Sequence, residues 1–125
     1  MGWFRPDKHR RILTYSGSFC NLHANATYPN GVCGYHESLI ASSPAKPLRV
    51  ALSASQYDLD MNTDTEQMRN WVAANEAMAA ALAATGYEYR YVYAKGAYHV
   101  DFGVLRQTLP ETLRWLWQGY PSKSP

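Results

Sequence analysis

The stretch "YVYAKGAYHVDFG" (91–103) ends an aromatic, β-branched run in a glycine and then presents His99 and Asp101. Upstream, "SQYDLD" (55–60) presents Asp58 and Asp60. A carboxylate that accepts an imidazole Nδ1–H fixes the ring's tautomer, stabilises the imidazolium and leaves Nε2 to take a proton. Asp58 and His99 are therefore the candidate acid–base pair, with Asp60 close enough to compete for the carboxylate's place. A hydroxyl nucleophile would complete the set, and "TYSGSFC" offers Ser16 and Ser18. That stretch has one glycine between two serines, not G-x-S-x-G, and no helical pattern follows it. It reads as a polar strand end feeding a loop. His99 and Asp101 spell H-x-D, but two ligands do not make a metal site, and Asp101 reads as a solvated loop carboxylate. His36 and Glu37 read as a surface pair rather than a cleft lining, and Trp115 and Trp117 as packing residues. His9 and His23 carry no signal. Cys20 and Cys33 have no CxxC neighbour, which leaves zinc without support. A disulfide and two thiols both fit them.

The elements that must position these residues follow from periodicity and turn signals. "RILTYSGSF" (11–19) reads as a strand ending near Ser16, and 20–34 as an Asn/Gly/Pro loop. A short helix fits 35–43, and "LRVALSAS" (48–55) reads as a buried strand. Met68, Trp71, Val72, Asn75, Met78, Ala79 and Leu82 fall on one helical face. Thr63 and Glu66 have capping-box spacing before it, and Gly86 sits where a left-handed C-terminal cap belongs. "YEYRYVYAKG" (87–96) reads as a third strand. A last helix is predicted from Thr108 and Glu111, another capping-box pair, with Pro110 in its first turn. Leu109, Leu113, Leu116 and Trp117 would form its apolar face, with Gly119 and Pro121 stopping it. "GWFRPDKHRR" shows no element of its own.

Strands alternating with helices predict an α/β domain, about three parallel strands with flanking helices and right-handed crossovers. Three strands make a thin sheet, with an edge that invites pairing. In open parallel sheets, sites form outside the carboxyl ends of the strands, where the loops bearing Asp58 and His99 would meet. Acid then histidine is also the order of the last two members of an α/β-hydrolase triad. The 125 residues, 46% hydrophobic and 18% charged, hold one domain at most. A net charge of +2 is too small to argue for nucleic acid or an anionic membrane. No apolar run reaches spanning length and no signal peptide is evident, so a soluble, cytoplasmic protein is expected.

"RPDKHRRILTYSGSF", "YHESLIASSPAKPLRVAL", "WVAANEAMAAALAATGYEYRYVYAKGAYHVD" and "TLPETLRWLWQGYP" together resemble the C-terminal half of the enterochelin-esterase-like esterases, an α/β-hydrolase family. The likeness covers almost the whole chain. It implies that residues 1–121 are the C-terminal part of one α/β-hydrolase domain, with 122–125 a frayed tail. It implies a serine esterase acting on carboxylic esters or lactones, with no metal or other cofactor. The family's aspartate in an "xDLD" loop matches Asp58, and its histidine in "KGAxHxD" matches His99. In that family the G-x-S-x-G elbow lies shortly before the "RPDxFRR" segment. Here "RPDKHRR" starts at Arg5, so the resemblance leaves the elbow, its serine and the oxyanion-hole loop outside the sequence. The expected activity of the chain alone is nil or nearly so. The alternative is a catalytically inactive interaction module, a homo-oligomer through the open sheet edge.

Overall fold

The computed structural model describes residues 2–61 and 69–120. The expected capping box at Thr63 and Glu66, Met68 on the helix face, Pro121 and the 122–125 tail lie outside the described residues.

Strands β1 (Arg11–Tyr15), β2 (Arg49–Tyr57) and β3 (Glu88–Tyr98) form a three-stranded parallel sheet in that order. The expected α/β architecture of a parallel sheet with flanking helices is present. Ile12, Val50 and Tyr89 stand in register on one face, as do Thr14, Leu52 and Tyr91. Helix α2 (Trp71–Ala84) packs on that face, and Met78, Ala79 and Leu82 close a core with Leu48, Val50, Leu52 and Tyr87. Burying such side chains is the main force holding the layers together. The connection from β1 to β2 is more helical than expected. It tightens to a 3-10 turn at Gly31–Cys33, widens to π geometry over Tyr35–Leu39 and ends as α1 (Ile40–Ser42), which delivers fully buried Ile40 to the core. The front of the chain is anchored too: Trp3 is buried and meets the rings of Tyr35 and Tyr87.

Helix α2 starts at the Asn70 cap, whose side chain accepts the Ala73 N–H. Its end matches the expectation. Gly86 has φ +76, its N–H bonds the Ala83 carbonyl, and the Tyr87 N–H bonds the Leu82 carbonyl. These are the two bonds of a Schellman cap.

The last helix departs from the sequence reading. Helix α3 runs Phe102–Trp117 on the opposite sheet face and starts well before Thr108. Its cap is Asp101, which accepts from the N–H groups of Gly103 and Val104 and also from that of Tyr98. Asp101 is thus a solvent-accessible carboxylate that also caps the helix, and these bonds hold its carboxyl below the usual range. Thr108 lies mid-helix, where its hydroxyl donates to the Val104 carbonyl and meets the Tyr15 hydroxyl. Pro110 therefore sits inside the helix rather than in its first turn. A capping-box spacing is local, and the three backbone donors available to Asp101 outcompete it. Leu116 is buried, but Leu113 and Trp117 of the predicted apolar face are 39% and 50% exposed. With the earlier start, the face toward the sheet runs through Val104, Thr108, Thr112 and Trp115 instead. Arg49, at the head of β2, ties the helix end down by donating to the carbonyls of Trp115 and Gln118.

Candidate active site

Both candidate catalytic residues leave the carboxyl end of the sheet. Strands β2 and β3 run further than expected, to Tyr57 and Tyr98, and their register breaks near the end. Ser55 pairs with Ala94, but Tyr57 pairs with Tyr98. The extra residues on β3 form a bulge around Gly96, which has φ +71 and donates its N–H to Gln56 Oε1 at 2.8 Å. A bulge re-aims the side chains that follow it. Here it brings His99 over the turn that carries Asp58.

His99 Nδ1 lies 2.6 Å from Asp58 Oδ1. The Asp58 side chain is 0% exposed and that of His99 is 34% exposed. Asp60, the competing carboxylate, is exposed on the same turn. Burial pushes the Asp58 carboxyl up. Bonds from His99, Ser16 and the N–H groups of Ser55 and Leu59 outweigh this and hold it below the ordinary carboxylate range. A carboxylate only accepts, so Nδ1 carries the proton in the short bond and Nε2 is left for a reacting group. The Trp71 ring stands edge-on to the imidazole, with centroids 5.9 Å apart.

Ser16 is not the nucleophile of this pair. It is buried just past β1 and donates a hydrogen bond to Asp58 Oδ2 at 2.7 Å, on the carboxylate oxygen away from His99. Its oxygen accepts the Val100 N–H at 3.1 Å. Ser18 is exposed in the loop beyond. Among the described residues no serine hydroxyl bonds the His99 ring.

Two residues placed on the helix face by sequence have supporting hydrogen bonds that the sequence reading did not foresee. Trp71 Nε1 donates to the Ser16 carbonyl, and fully buried Asn75 donates to the Gly17 carbonyl and to that of Trp71. An asparagine on an otherwise apolar helical face was the available signal, since a buried amide must find partners.

The turns that carry Asp58 and His99 also carry exposed apolar side chains: Tyr57, Leu59 and Met61 on one, Tyr98, Val100 and Phe102 on the other. The larger grooves among the described residues lie elsewhere. One of about 610 Å³ runs between the sheet and α3, lined by Tyr15, Ser53, Val92 and Thr108. The other, about 490 Å³, is lined by Phe4, His23, Tyr28 and Glu37. His36 turns instead to the Phe19 carbonyl. Cys20 and Cys33 are buried thiols, and burial pushes Cys33 up to about 11. Among the described residues no three His, Cys, Asp or Glu side chains group to hold a metal ion. None of their helices is long and apolar enough to cross a membrane. No protein-family model, curated protein or solved structure matches the chain.

Proposed function

We propose that the chain carries the acid and the base of a serine-esterase triad, in the C-terminal part of an α/β-hydrolase fold. The nucleophile elbow would come from outside these 125 residues. The observation that supports this reading is the 2.6 Å bond between His99 Nδ1 and the buried Asp58 carboxylate at the carboxyl rim of a parallel sheet. Asp58 orients the imidazole and stabilises its charged form. His99 Nε2 takes the proton of an attacking hydroxyl and returns it to the leaving alcohol of a carboxylic ester or lactone.

The pair by itself supplies neither a covalent nucleophile nor an oxyanion hole, and oxyanion donors carry a large share of such catalysis. The test is p-nitrophenyl acetate hydrolysis beside fluorophosphonate labelling. The chain is expected to give no covalent label and no saturable turnover above a His99→Ala control. Saturable, His99-dependent turnover titrated by the phosphonate would overturn the external nucleophile. A neutral His99 protonated at Nε2 rather than Nδ1, read by ¹⁵N NMR, would overturn the acid–base pair itself.

A second reading, an interaction module that self-associates, is favoured by the outer edges of β1 and β3. Neither edge pairs with another strand among the described residues.

A further inference from the structure

Ser16 sits in a left-handed conformation, φ +52, that a non-glycine residue enters at a cost. The Val100 turn beside His99 is held the same way, at φ +48. Strained backbone of this kind persists only where surrounding bonds over-determine it. At Ser16 those bonds are all visible. Its N–H donates to the Ser53 carbonyl, and its carbonyl accepts from Trp71 Nε1. The next carbonyl, that of Gly17, accepts from Asn75. β2 and the first turns of α2 therefore grip the backbone, and the hydroxyl is aimed at the rim.

Resting on the acid–base reading above, we propose that Ser16 is the positioning residue of the Asp58–His99 pair. One hydroxyl links the acid's second oxygen, Oδ2, to the backbone of the residue after the base, Val100 N–H. It thereby fixes the turns after β2 and β3 relative to each other from the end of β1. The role is specific to a hydroxyl. The group must donate to a carboxylate and accept from an amide at once, which a serine oxygen does and an alanine or glycine cannot. A bond to an ionised acceptor is among the stronger hydrogen bonds. Its loss frees Asp58 to turn about its side chain and frees the His99–Val100 turn to drift, although both keep their direct contact.

The test follows the His99 Nδ1–H proton by NMR in the full chain, at a pH where Asp58 is ionised. Wild type is expected to show a low-field, slowly exchanging resonance that Asp58→Asn abolishes. In Ser16→Ala, solvent exchange of that proton should quicken about tenfold or more, the scale expected for one lost charge-assisted bond. The Val100 amide should lose protection with it. Ser16→Gly removes the same hydroxyl while relieving the left-handed strain, so it supplies the measurement if Ser16→Ala does not fold. Unchanged exchange in the folded variant overturns the role of Ser16 and leaves the acid–base reading intact. Absence of the low-field proton from wild type overturns the pair instead.

Discussion

Asp58 shows how one carboxylate is kept charged inside a protein. Removing it from water favours the neutral acid, and its donors reverse that preference. Its pKa in the folded chain lies below its unfolded value. The stability it contributes is therefore fully present above the unfolded value and is lost as pH falls through the folded one. Asp58→Asn should accordingly flatten the acid limb of the stability curve, below the ordinary carboxylate range near about 4. Urea midpoints at pH 7 and pH 3 check this: wild type should lose more between the two than the variant does. An equal loss would remove Asp58 as a source of acid sensitivity. His99 was legible as the partner of a carboxylate from its residue type and its place after a strand. Asp58 was favoured over Asp60 by the resemblance, while residue spacing alone left Asp60 in competition. That choice depends on a turn that buries one carboxylate and exposes the other, and residue spacing does not encode it.

The elements delivering the pair depend on two positive-φ positions of opposite character. Gly96 supplies the bulge, and a Cβ added there would meet no atom within 4 Å. Gly96→Ala should therefore cost only the left-handed penalty, about 1 kcal/mol, measurable by urea denaturation. Val100 already bears such a penalty and is 41% exposed. Val100→Gly should hold or raise stability by up to about 1 kcal/mol, offset by the glycine's greater freedom in the unfolded chain. A clear loss would show that the Val100 side chain has a packing role. Apolar β-rich runs made β1, β2 and β3 readable, and an alanine-rich helical run closed by Gly86 made α2 readable. The start of α3 was not readable. Thr108–Glu111 and Asp101 both satisfy local capping rules, and only the arrival of β3 beside Asp101 decides between them. A short helix was expected over 35–43, but nothing in the sequence pattern marked the π widening at Tyr35–Leu39.

At the scale of the whole molecule, a parallel sheet normally has covered faces and managed edges. The faces here are covered by α2 and α3, while β1 and β3 each use one edge for β2. If those edges and the apolar rim drive association, light scattering behind size-exclusion chromatography should give a mass above one chain. A monomer that persists across dilution would remove the self-associating reading. The two buried cysteines offer a gauge of a different kind. Cys20 packs against Trp71 and Ala74, directly beneath the residues that grip Ser16, and Cys33 lies in the helical connection. Each is about 1% exposed, and burial raises both thiols, so a disulfide reagent must await an opening of the structure before it finds a thiolate. The modification rate of Cys20 is then a clock for the breathing of the site's foundation, and that of Cys33 a clock for the connection beside it. Two unequal rates would divide the molecule into a region that opens often and one that opens only when everything does.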